Sequence, residues 1–163
     1  MDVKIIKGDK RDYITVILAN GLRVETTFPK KGPFPHDAMH YAVEKHLGLT
    51  KAFWGMVVGG RHPEEIGELA KAAGHASASR ATVPGDNIVE LLQAVRIVEC
   101  FEADMWSDPA TPALIRQTAK VACESSFVPP LAITDEQISL IRYELAQLTS
   151  QWAEGRIAFG WGG

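Results

Sequence analysis

The tightest constraint on this chain is the dipeptide Asn20-Gly21, set between two segments of alternating character. Asn-Gly is the strongest short-range hairpin signal, because a two-residue type I′ turn needs positive φ at both central positions. It predicts that Tyr13 to Ala19 pairs with Leu22 to Phe28, and the polar turn Gly8 to Asp12 places a further strand, Val3 to Lys7, before them. In the third strand Leu22, Val24, Thr26 and Phe28 alternate with Arg23, Glu25 and Thr27, so the sheet has one wet face and one dry face that helices must cover.

The rest of the chain supplies those helices. A proline- and glycine-punctuated connection, Pro29 to Pro35, leads into a helix from His36 to Leu47, with Gly48 at its C′ position. Thr50 to Gly60 is too apolar for a solvated loop, and its pattern leaves helix or strand open. Pro63-Glu64-Glu65 opens a short helix through Ala73 that Gly74 ends. Residues 74–85 are small and polar and read as a loop, a linker in preference to a lid. Asp86 can cap a long helix carrying Leu91, Leu92, Val95, Val98 and Phe101 and ending near Trp106. Thr111-Pro112 opens another, to Ser125. Thr134 to Gln137 has the capping-box pattern, ahead of a stripe of Ile138, Ile141, Leu145, Leu148 and Trp152. Arg156 to Trp161 alternates like a short strand able to extend the edge of the meander. The expected fold is α+β, one domain over residues 1–163: an N-terminal antiparallel meander of three strands, a fourth strand from the C-terminus, and a helical C-terminal half.

Composition narrows the function classes. A chain of 163 residues with 46% hydrophobic and 23% charged residues suits one globular core. The net charge of -3 and the scattered lysines and arginines argue against nucleic acid as a partner. The start Met1-Asp2-Val3-Lys4 precedes no apolar leader, and no apolar run approaches the ~20 residues of a membrane span, so a cytoplasmic protein is expected. Cys100 and Cys123 read as reduced thiols packed in helices, with no C-x-x-C spacing. Phe53, Trp54, Trp106, Trp152, Phe159 and Trp161 read as mostly core.

Reactive groups concentrate in Pro35-His36-Asp37-Ala38-Met39-His40-Tyr41-Ala42-Val43-Glu44. At about 100° per residue His36, His40 and Glu44 form one ridge of i, i+4 neighbours able to point at a common centre. They lie beside the stripe of Met39, Val43 and Leu47, with Ala38 and Lys45 on the other side. Two imidazoles and a carboxylate so placed could hold a divalent metal such as zinc with an open coordination position, and Asp37 would then be the general base toward a bound water. His62 and His75 are conceivable further ligands. The glycines Gly55, Gly59 and Gly60 match no phosphate-binding loop, and Ser77 and Ser79 have no nucleophile-elbow setting.

The segment His36-Asp37-Ala38-Met39-His40 resembles the H-E-x-x-H motif of zinc metalloproteases, with Asp37 where that family has Glu. Pro35-His36-Asp37, His40, Val43-Glu44, Leu47-Gly48-Leu49 and Phe53-Trp54-Gly55 together are similar to a group of uncharacterised bacterial proteins, a resemblance that implies no activity. The same residues also have a structural reading: Asp37 favours the helix dipole, His36 caps free amides, His40 donates to a backbone carbonyl, and Glu44 pairs with a cation such as Arg61. By a small margin the residues favour a non-catalytic binding or interaction domain with a buried polar helix. The alternative is a metal-dependent hydrolase-like protein with ligands His36, His40 and Glu44 and Asp37 as base. Whether the partner is a protein or a small molecule, or the chain forms a homo-oligomer, is left open.

Overall fold

The computed structural model describes residues 1–80 and 83–162, and the side chains of residues 1–73 and 83–162. Four strands form one antiparallel sheet: β1 (Asp2–Ile6), β2 (Arg11–Ile17), β3 (Arg23–Pro29) and β4 (Arg156–Gly160), in the order β3-β2-β1-β4. Six helices accompany it: α1 (His36–Leu47), α2 (Phe53–Val58), α3 (Pro63–Arg80), α4 (Val89–Met105), α5 (Pro112–Ser125) and α6 (Asp135–Ala153). The α+β architecture and the fourth strand contributed from the far end of the chain are thus both present. Val3 faces Val16 and Phe159, and Ile5 faces Ile14 and Ile157. That register places one buried apolar row on the inner face, while Lys4, Ile6 and Tyr13 stay outside.

The hairpin forms, though not with the turn that Asn-Gly suggests. Leu18 N–H donates to the carbonyl of Leu22, and Gly21 N–H donates to that of Leu18. Three residues therefore span the turn, with Gly21 at φ 83° and Asn20 outside the positive-φ region. This is a turn closed by a left-handed glycine rather than type I′. Leu22 leaves the strand and is 56% exposed.

Helix α1 has the bounds read from the sequence. Pro35 is its N-cap, with ψ 123°, and Gly48 ends it at φ 68°. It lies under the sheet and against α4 and α6, so Ala38, expected on an outer face, is 0% exposed. Tyr41 stacks on Phe159 of β4 at 3.9 Å. The undecided segment is helix α2. Gly74 does not end α3, which runs on to Arg80, so most of the expected 74–85 loop is helical; residues 81 and 82 lie outside the described residues. Asp86 opens a 3-10 turn, Asp86–Ile88, and makes no side-chain cap on α4. Thr111 caps α5, and Thr134 with Gln137 forms the full capping box on α6. Among the described residues no helix is long and apolar enough to cross a membrane.

Candidate functional site

Glu44 settles how α1 and α2 meet. Its side chain is 0% exposed; Oε1 accepts from the backbone N–H of Phe53 at 3.0 Å, and Oε2 from that of Trp54 at 2.9 Å. Helix α2 has no side-chain cap of its own, its N-cap being Ala52, so a carboxylate from the neighbouring helix satisfies the first amides of the helix. His40 Nδ1 lies 2.9 Å from the same Oε1. The Trp54 indole donates to the carbonyl of Asp37 at 3.0 Å. Gly55 completes the corner, because a Cβ there would fall 1.8 Å from the carbonyl oxygen of Thr50. Glu44, Gly48 and Phe53-Trp54-Gly55 are therefore the parts of one helix–helix joint.

His36, Asp37 and His40 are not used up by that joint. They line a cavity of about 1000 Å³ between the inner face of the sheet, the start of α1, and helices α3 and α4. Its floor is apolar: Ile5, Ile14 and Phe28 from the sheet, Ile66 from α3, Leu91 and Leu92 from α4. Phe34 and Phe53 flank the polar end. The His36 and His40 rings meet edge to face at 5.1 Å, and His40 lies 5.6 Å from the Phe53 ring. His36 Nδ1 is 3.8 Å from Glu102 Oε2, an electrostatic contact longer than a hydrogen bond.

Burial sets the protonation of these groups. It lowers the His36 imidazole to about 3, with His40 and Lys31 adding repulsion. It also lowers His40 to about 4, although the Asp37 and Glu99 carboxylates pull upward. Both rings are neutral at physiological pH. Burial raises the Asp37 carboxyl above the usual range against the pull of His40 and Lys31. It pushes Glu44 well above that range despite the Trp54 and Phe53 amides. Three shifted titratable groups, His36, Asp37 and His40, lining one cavity mark a functional-site candidate.

The expected ligand set of His36, His40 and Glu44 does not assemble. Glu44 meets His40 Nδ1 and the two α2 amides, which engage both of its oxygens, and among the described residues no ion pair joins it to Arg61. Among the described residues no group of three His, Cys, Asp or Glu side chains could hold a metal ion, zinc included. Asp37 lines the cavity beside His36 and His40. His62 Nδ1 accepts the N–H of Glu64 at the start of α3 instead of serving the site, and the His75 side chain lies outside the described residues.

Lys31, Arg96 and Glu99 also line the cavity and were not singled out in the sequence. Nothing in the periodicity of α4 marks Arg96 or Glu99, since they lie beside an apolar stripe as ordinary surface charges would. No family model, curated protein or solved structure matches this chain.

Proposed function

We propose that the protein is a binding domain for a small, largely apolar molecule, held in the cavity between the sheet, α3 and α4 with its polar end at His36, Asp37 and His40. The observation that carries this reading is the division of labour within one motif. Glu44, Gly48 and Gly55 have structural work at the α1–α2 joint. The remaining polar members, His36, Asp37 and His40, line a cavity together with an apolar set, Ile5, Ile14, Phe28, Ile66, Leu91 and Leu92, and charged side chains of both signs. An apolar pocket of roughly 300–1000 Å³ with a few converging polar groups is the ordinary form of a small-molecule site. Burying the His40 imidazole and half-burying His36 and Asp37 beside it has a cost in solvation that core packing alone does not require.

The reading refines the non-catalytic binding domain expected from the sequence and sets a small molecule in place of a protein partner. Its test is a fragment screen of the untagged protein by ligand-observed NMR, repeated on Val95→Trp, whose indole would fill the cavity beside Leu91 and Leu92. Binding of neutral, apolar fragments at submillimolar affinity, lost in the folded variant, supports the reading. Fragments that bind both proteins alike would overturn it.

A further inference from the structure

His40 presents two different nitrogens. Nδ1 is committed to Glu44 Oε1 at 2.9 Å. No hydrogen bond from the described residues reaches Nε2, yet among those residues no buried side-chain nitrogen or oxygen is left without a partner. Nε2 is thus open to the cavity that His40 lines.

Glu44 decides which nitrogen carries the proton. Both of its oxygens accept backbone N–H groups, Oε1 from Phe53 and Oε2 from Trp54, bonds that favour the ionised carboxylate against the burial that raises it. The contact at Oε1 then takes its proton from Nδ1. A carboxylate on one ring nitrogen fixes the tautomer and orientation of the other, as it does for histidines in many sites. We infer that Glu44 is a positioning residue that holds His40 with its proton on Nδ1, so that Nε2 is a hydrogen-bond acceptor for the hydroxyl group of an uncharged aromatic ligand. This rests on the cavity being a ligand site, as proposed above.

The rest of the cavity agrees with an uncharged aromatic alcohol. Its charges are of both signs and several are already engaged: Arg96 pairs with Glu99 at 2.9 Å, and Glu64 accepts from Thr26 at 2.7 Å. No surplus charge therefore selects an ion. Phe28, Phe34 and Phe53 present aromatic surface against which a planar ring packs well. The depressed basicity of His40 keeps Nε2 an acceptor through the neutral range. An apolar molecule without a hydroxyl would leave this nitrogen desolvated and unpaired, which is the source of discrimination.

The experiment uses 2-naphthol and its methyl ether, 2-methoxynaphthalene, with the intact protein labelled with nitrogen-15 in its histidines. Long-range proton–nitrogen spectra at neutral pH, with His40 assigned from His40→Gln, report which ring nitrogen is protonated. The expected result is an unprotonated Nε2 in the free protein that shifts on adding 2-naphthol, and about tenfold weaker binding of the ether. A proton on Nε2, or equal affinity for the two compounds with His40 signals moving in both cases, would overturn the inference and leave the pocket in place. Failure of both compounds to move any cavity residue, together with failure of the fragment screen, would overturn the pocket as well.

Discussion

Glu44 is the residue on which the corner between α1 and α2 depends, because two backbone N–H groups and the His40 Nδ1 converge on one buried side chain. Glu44→Ala leaves two backbone amides and an imidazole without a partner. It should lower the stability by about 3 kcal/mol or more, read from the urea midpoint, whereas Glu44→Gln retains one acceptor and should cost less. Equal stability of Glu44→Ala and the native chain would contradict this role. His36 offers a pH test. Its folded value of about 3 lies below the unfolded value of 6.5, so the stability it contributes is full above pH 6.5 and is lost as the pH falls toward 3. Asp37 and Glu44 are shifted upward and act in the opposite sense, so the comparison must be made against His36→Asn. The advantage of the native chain over that variant should shrink by on the order of 2 kcal/mol between pH 7 and pH 4 in urea titrations. A constant difference across that window would show that the ring is not held neutral by burial.

Helix α2 shows how elements are specified through their neighbours. Only six residues long and without a cap of its own, it exists because α1 delivers Glu44 to its first amides and because Gly55 lets its backbone approach Thr50. Gly55→Ala would force the joint apart and should destabilise the protein by about 3 kcal/mol, measurable as a lowered thermal midpoint; a neutral effect would contradict the close approach. The same dependence explains why the sequence left this segment between helix and strand, since neither its length nor its pattern contains the contribution of α1. Elements with local signals were legible: the prolines and Gly48 around α1, Thr111-Pro112 at α5, and the Thr134/Gln137 box at α6. The end of α3 was not, because Gly74 weakens a helix without terminating it when no left-handed cap follows.

In the whole molecule, β4 joins the last residues to the first. Its pairing with β1 brings Phe159 against Tyr41 and Trp54, directly behind the helix that carries the site. The Met1 amino group also donates to the Trp161 carbonyl at 3.1 Å. Removing residues 156–163 should therefore abolish the cooperative unfolding transition rather than merely weaken it, and a truncated chain that still melts cooperatively would show β4 to be dispensable. The residues of the candidate site on α1 stood out in the sequence, because His36, Asp37 and His40 are polar residues beside an apolar stripe. The cavity was not legible, since its walls come from β1, β2, β3, α3 and α4, joined only by the tertiary fold. For the same reason helical spacing alone suggested a common centre for Glu44, whose amide partners come from a separate helix. Whether His36 and His40 form the polar end of a ligand cavity is decided by a crystal structure of the protein soaked with hits from the fragment screen. Density is expected between Phe28, Leu92 and the two histidine rings, with a ligand atom within hydrogen-bond distance of His40 Nε2. Fragments found only on the outer faces of α5 and α6, with the cavity unchanged, would contradict it.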